Sequence, residues 1–339
     1  MVLDKKKRRE KLMNKVGKLV PTPSNAEQRT NKINELWAVT TFFNPSHFKT
    51  KLINYRRFRK ESRKQGLNLI CVELSYDGSY ELNETDAETV IQLESQCVLW
   101  QKERLLNLAL EKLPPQCTKV CWIDADLVFT NPQWVYQTSC LLDHFPMIQP
   151  YEKGHRLPKN AVNNKNLNRF AKPDNEVTGI VYHYKLKKKY NRDKHCGYVW
   201  AIRRKIIDKV KFYDKNIIGG GDRIMCRAAF YKQLASHHRP NQPTCPFTIP
   251  HARNIEYYMN RLHQMVGGRV FFTPGRVYHL WHGNAKNRQY SARHKILKKF
   301  NYHPLQDIKH APNGSWMWAT EKKGLRQAIK EYFQGRKED

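Results

Sequence analysis

Asp124-Ala125-Asp126 closes the apolar run Val120-Cys121-Trp122-Ile123. Two carboxylates at i and i+2 of one strand point to the same face. Charges that close repel unless a proton or a cation intervenes. A hard divalent ion such as Mg²⁺ or Mn²⁺ resolves the conflict and also grips phosphate oxygens. The competing reading is a pair of turn acids ahead of Asn131-Pro132. Asp222 follows Gly219-Gly220-Gly221 and opens a helical stretch. It reads either as a general base for a hydroxyl or as the N-cap of that helix. His279 and His282 stand three residues apart around Trp281 and next to Gly283. They suit nitrogen ligation of a metal, whereas Tyr278 and Trp281 either stack on a ring or fill a core. Arg276, Lys286, Arg288 and Arg293 surround them, with no acid between 286 and 299. That cluster is either a diphosphate clamp or a solvated basic face.

The elements that must carry these residues alternate. Leu36–Phe43 is a short β-rich run closed by Asn44-Pro45, and residues 67–73 form a second. Helical spacing covers 46–65. A long stretch without Gly or Pro, 88–113, ends at Pro114-Pro115 and predicts a long helix. Residues 119–129 predict a strand running into a turn. Strand, helix, strand, helix, strand predicts an α/β fold with a mostly parallel central sheet flanked by helices. Such sheets bind ligands at the carboxyl ends of their strands. Residues 151–195 are polar and lack a long periodic segment. Strands are predicted at 197–202 and from 275, and helices from 203, over 222–235, over 290–301 and over 319–334.

The chain has 339 residues, enough for one large domain. Lys and Arg number 61 against 30 Asp and Glu, a net charge of +31. Such a charge implies an anionic partner: nucleic acid, membrane surface, nucleotide phosphates or acidic glycans. Residues 1–20 carry eight of the basic residues and end at Pro21-Thr22-Pro23. Residues 1–30 therefore read as a basic arm, mobile or laid on the surface, whose residues 5–18 would meet a polyanion or a membrane surface. No apolar run reaches the ~20 residues of a membrane span. The N-terminal segment lacks the apolar core of a secretory signal, so an intracellular, soluble or peripherally attached protein is expected. The eight cysteines form no Cys-x-x-Cys pair and read as buried free thiols of a reducing compartment rather than a zinc site.

Val120 to Pro132 resembles the DxD strand of GT-A fold glycosyltransferases, and further resemblances follow in chain order. Ala38–Phe43 resembles the family's first nucleotide-binding strand. The helix with Lys102, Arg104 and Asn107 is similar to one that runs beside the nucleotide. Gly197-Tyr198-Val199-Trp200-Ala201 resembles the floor under donor sugar and acceptor. Gly219-Gly220-Gly221-Asp222 resembles a Gly-rich loop with a closing acid. His279-Leu280-Trp281-His282-Gly283 resembles the C-terminal histidine motif that completes the metal site. The likeness spans roughly 36–290. It implies a single large GT-A-like domain: residues 31–150 bind the nucleotide sugar, 151–290 bind the acceptor and complete the metal site, and 291–339 form a helical segment. It implies Mn²⁺ (or Mg²⁺) on Asp124, Asp126, His279 and His282, with Asp124 also on the ribose or a metal-bound water. It implies Lys102, Arg104, Asn107 and Arg288 on the donor, and Asp222 as base. The implied reaction moves a hexose from a nucleotide sugar, a UDP-sugar foremost, to a glycan, protein or lipid hydroxyl. Gly221-Asp222-Arg223 carries one acid where inverting relatives often carry two, so the stereochemistry is open. Two other readings use the same residues. A basic nucleic-acid-binding protein explains the charge, but no helix-turn-helix, zinc-finger or RNP signature supports it. A metal-dependent nucleotidyltransferase also uses Asp-x-Asp, but it needs a third strand carboxylate and a Gly-Ser phosphate turn, which the sequence lacks.

Overall fold

The computed structural model describes residues 2–239, 242, 244–290 and 292–339. Helices α1 (Val2–Leu19) and α2 (Ala26–Asn34) precede the sheet. Strands β1 (Leu36–Phe43), β2 (Asn68–Ser75), β3 (Thr89–Glu94) and β4 (Lys119–Ile123) follow. Between them run helices α3 (Lys49–Lys64) and α4 (Lys102–Leu110). Next come β5 (Leu127–Phe129), α5 (Trp134–His144), β6 (Met147–Gln149), β7 (Lys153–Arg156), β8 (Glu176–Thr178), α6 (Ile180–Lys187) and β9 (Val199–Arg203). The chain continues through α7 (Arg204–Val210), α8 (Gly221–Phe230), α9 (Ile249–Val266), β10 (Val270–Phe272), β11 (Arg276–His279), α10 (Arg293–Lys299) and α11 (Lys323–Gln334).

The central sheet has seven strands in the order β10-β6-β9-β4-β1-β2-β3. All of its pairings are parallel except those of β9, which runs antiparallel to both β4 and β6. This is the expected α/β class with a mostly parallel sheet flanked by helices. The buried pattern agrees with the chemistry of the strands. Every residue of β4 is buried, as are seven of the eight residues of β2, and strands covered on both faces carry continuous apolar runs. One apolar core extends from Val16 to Phe333 and crosses the boundaries at 150 and 290. A second sheet, β5-β11-β7-β8, lies beyond the end of β4.

One expectation changes. Residues 88–113 are not one helix: they form β3, an irregular stretch, and the nine-residue α4. Thr89-Val90-Ile91 is β-branched and pairs with Ile70-Cys71-Val72, so pairing with the sheet edge wins over helical spacing. The basic arm takes the surface-laid form, as a helix against the body. α1 buries Val16 against the core, and Arg9 reaches Glu152 at 3.4 Å. An 18-residue helix, α9, fills a stretch for which the sequence predicts no element; Thr248 caps it through the backbone N–H of His251, with proline in the first turn. All eight cysteines are free, as expected, and six are buried. No helix among the described residues is long and apolar enough to cross a membrane.

Candidate active site

A cleft of about 550 Å³ opens at the carboxyl ends of β1 and β4. Its walls include Thr40–Phe43 and Ile123–Asp126, and α8 enters with Gly220, Asp222 and Arg223. β4 stops at Ile123, and Asp124-Ala125-Asp126 forms the turn into β5. The two carboxylates therefore line one cleft without the regular spacing of a strand. They separate to different partners, because the period-two rule ends with the strand.

Asp126 goes to the histidines. β5 pairs antiparallel with β11, placing His279 opposite Leu127, and the Leu280 N–H donates to the Asp126 carbonyl at 2.9 Å. This ladder brings Asp126 and His279, 153 positions apart in the sequence, into one cluster. Asp126 Oδ2 lies 3.1 Å from His282 Nε2 and 3.7 Å from His279 Nε2, and the two ring nitrogens are 3.0 Å apart. Asp126 Oδ1 is buried without a hydrogen-bond partner. Burial and the Arg288 guanidinium push His279 down to about 3 and His282 well below its ordinary value. Both rings are thus neutral near pH 7 and offer lone pairs. Burial pushes Asp126 up to about 6, against the pull of Arg288 and Lys102. One Asp126 carboxylate oxygen and a ring nitrogen from each of two neutral imidazoles lie within 4.8 Å of one another. That donor set fits a divalent ion tolerant of nitrogen, Mn²⁺ better than Mg²⁺.

Asp124 sits with Lys102 instead. Lys102 Nζ donates to Asp124 Oδ1 at 2.6 Å and reaches Asp222 Oδ2 at 3.1 Å. One ammonium thus bridges two carboxylates. Burial is the larger influence on Asp124 and raises it to about 6 despite this partner. Asp222 is not the cap of α8: Gly220 takes the cap position, with no side-chain capping bond. The glycines before it have distinct tasks. Gly219 and Gly220 adopt φ of +87° and +98°, which side chains disfavour. A Cβ on Gly221 would lie 2.1 Å from Glu103 Oε1. The Gly-rich turn thereby lets α8 start against α4, with Asp222 in the cleft beside Gly197.

Of the other expected donor contacts, Arg288 lines the cleft, whereas Arg104 and Asn107 do not. Arg104 Nε donates to the Gly314 carbonyl at 2.6 Å and pairs with Asp214. Asn107 bonds the Phe212 backbone through both ends of its amide. Both fasten α4 to its neighbours. They lie on other faces of the helix whose Lys102 and Glu103 reach the cleft.

Two lining residues, Glu338 and His195, had no signal in the sequence. Glu338 is 1% exposed, pairs with Arg288 at 3.4 Å and Lys51 at 3.7 Å, and accepts from Arg336 Nε at 2.7 Å. Lys51, Arg336 and Arg288 hold its carboxyl down to about 2. Asp339 then accepts from the Lys49 and Thr50 backbone N–H groups at the start of α3. His195 lines the floor, its Nδ1 2.9 Å from the Tyr151 hydroxyl. Tyr198 holds φ +79° and stacks on His279, a strained backbone of the kind concentrated at functional sites.

Glu103 is 4% exposed, and burial lifts it to about 7 from the ordinary 4.5. A carboxyl raised in the folded state binds protons that the unfolded chain has released. Stability therefore falls as pH rises from 4.5 to 7, by on the order of 3 kcal/mol for this group. Glu103→Gln keeps the acceptor for the Trp100 Nε1–H bond of 3.0 Å and removes the titration. Urea unfolding at pH 5 and pH 7.5 should show the variant gaining on wild type at the higher pH. Parallel profiles would contradict the buried acid.

The sequence matches no protein-family model and no curated protein. Among solved structures, the fold is similar to a Drosophila β1,4-galactosyltransferase 7 catalytic domain in complex with xylobiose. That match has 14% identity over 57% of this chain and 59% of that domain, and a TM-score of 0.28. The chain thus spans less than two thirds of that domain. A 4-diphosphocytidyl-2C-methyl-D-erythritol synthase from Anaerococcus prevotii matches at 12% identity over 71% of this chain and 88% of that one, with a TM-score of 0.29. A protein described as a nucleotide-diphospho-sugar transferase from Desulfovibrio desulfuricans matches at 12% identity over 79% and 95%, with a TM-score of 0.33. Likenesses this loose do not assign the chain to a family or an activity.

Proposed function

We propose that the chain is a metal-dependent glycosyltransferase of the GT-A type, moving a sugar from a nucleotide sugar, a UDP-sugar foremost, to an acceptor hydroxyl. The observation that supports this most is the convergence of Asp126, His279 and His282 at the strand ends, beside the Arg288 guanidinium and in one cleft with Lys102 and Asp222. Asp126, His279 and His282 would hold a divalent ion. When bound, it supplies positive charge to the oxygens of the departing diphosphate. Arg288, Lys51 and Arg336 add charge at the same end of the cleft and lower the cost of the leaving group. Lys102 fixes the Asp222 carboxylate against the floor. Asp222 takes the proton of the acceptor hydroxyl as its oxygen bonds the anomeric carbon and the carbon–diphosphate bond breaks. Asp124, held by Lys102, is the residue for the ribose hydroxyls rather than for the ion.

A thermal-shift panel of UDP- and GDP-sugars with Mn²⁺ tests the reading, because a ligand that binds only the folded state raises the melting temperature by mass action. One nucleotide sugar is expected to stabilise the chain with Mn²⁺ and not in EDTA, and to yield free nucleoside diphosphate on incubation. Release of pyrophosphate from a nucleoside triphosphate, with no response to any sugar nucleotide, would mark nucleotidyl transfer instead.

A further inference from the structure

A second concavity, of about 970 Å³, runs between α1 and α6 and shares no lining residue with the catalytic cleft. Lys7, Lys11, Lys15 and Lys18 recur every three or four residues, which places them on one side of α1 over about 16 Å. Lys185 of α6 and Lys188, which caps its C-terminus, form the facing wall, and Glu10 is the one acid among the lining residues. The walls are fastened by other contacts than those of the lysines. Val16 is buried, Arg9 pairs with Glu152, and Arg8 donates to the Leu186 carbonyl at 3.2 Å. At the base Phe145 and Phe271 stack at 4.6 Å, and both Lys15 and Lys185 hold their ammonium groups within 6 Å of these rings. Lys185 is half-buried, and desolvation with the nearby Lys188 and Lys15 pulls it down to about 8. Cations gathered this closely around a single carboxylate repel one another, and a line of anionic groups laid along the groove relieves that repulsion.

We propose that this groove binds the phosphate backbone of single-stranded nucleic acid without regard to sequence. Three features favour that occupant. The cations are point-charge ammonium groups in a row, suited to successive phosphates rather than to one bidentate anion. The ring faces are already covered by lysines, so bases do not stack and sequence is not read. The groove is concave and the apolar side of α1 is spent on the core, which disfavours a flat lipid surface. The proposal is independent of the sugar-transfer reading.

The test is fluorescence anisotropy of a labelled oligo-dT with the full chain at 50–200 mM salt. Neutralising one phosphate per lysine gives a slope of log affinity against log salt near −4, a loss of about 300-fold across that range. Lys15→Gln with Lys185→Gln should flatten the slope by about 1.4. Lys60→Gln with Lys112→Gln, two exposed lysines outside the groove, should leave it unchanged. Equal slopes for the two double variants would overturn the proposal and leave only diffuse attraction from the net charge. So would binding to phosphatidylserine vesicles but not to the oligonucleotide. Melting temperatures matching wild type confirm that both variants are folded.

Discussion

Asp126→Ala should abolish metal-dependent binding of the nucleoside diphosphate, with an affinity loss of at least about 100-fold, and leave the melting temperature near wild type. The side chain has one oxygen on the histidines and one with no partner, and burial works against its charge. Little stabilisation is lost with it. Asp124→Ala is the informative contrast. Asp124 bonds Lys102 and not the histidines, so its loss should weaken donor binding without removing the response to Mn²⁺. Calorimetric titration of both variants reads the difference. Equal loss of metal response in the two would return Asp124 to the ligand set.

Asp222→Asn should lower turnover about 10²- to 10⁴-fold while donor affinity stays near wild type, because a base acts on the acceptor hydroxyl in the transition state. Helix capping does not compete as an explanation, since the cap position belongs to Gly220. The loss of charge next to Lys102 costs some stability, and unfolding of the same variant measures it. Steady-state rates at saturating donor decide the matter. Turnover unchanged in a folded Asp222→Asn protein would move the base elsewhere in the cleft, with His195 the nearest alternative on the floor.

Much of this site can be read from the amino acids because its parts lie at strand ends and glycine turns. The buried run before Asp124, the three glycines before Asp222 and the paired histidines all carry local signals. What those signals cannot carry is pairing across the chain. The antiparallel register of β5 and β11 joins Asp126 to His279, and the reach of Lys102 separates Asp124 from them. Arg104 and Asn107 shared a helix with Lys102, but a helix turns its residues about 100° apiece, and theirs face the structural side. Residues 88–113 misled for a physical reason: an edge strand and a short helix in succession show no Gly or Pro between them. Glu338 had no signal, because a charged segment such as Arg336-Lys337-Glu338-Asp339 resembles solvated chain until its partners Arg288 and Lys51 are seen.

The central claim is that Asp126, His279 and His282 hold a divalent ion that carries a nucleoside diphosphate. The most direct measurement is calorimetric titration of UDP and GDP into the full chain at pH 7, once with Mn²⁺ and once with EDTA. One of the two nucleotides is predicted to bind at a single site with Mn²⁺ and to lose at least about 100-fold in affinity in EDTA. Equal affinity in Mn²⁺ and EDTA, or no binding of either nucleotide with Mn²⁺ present, would contradict the account.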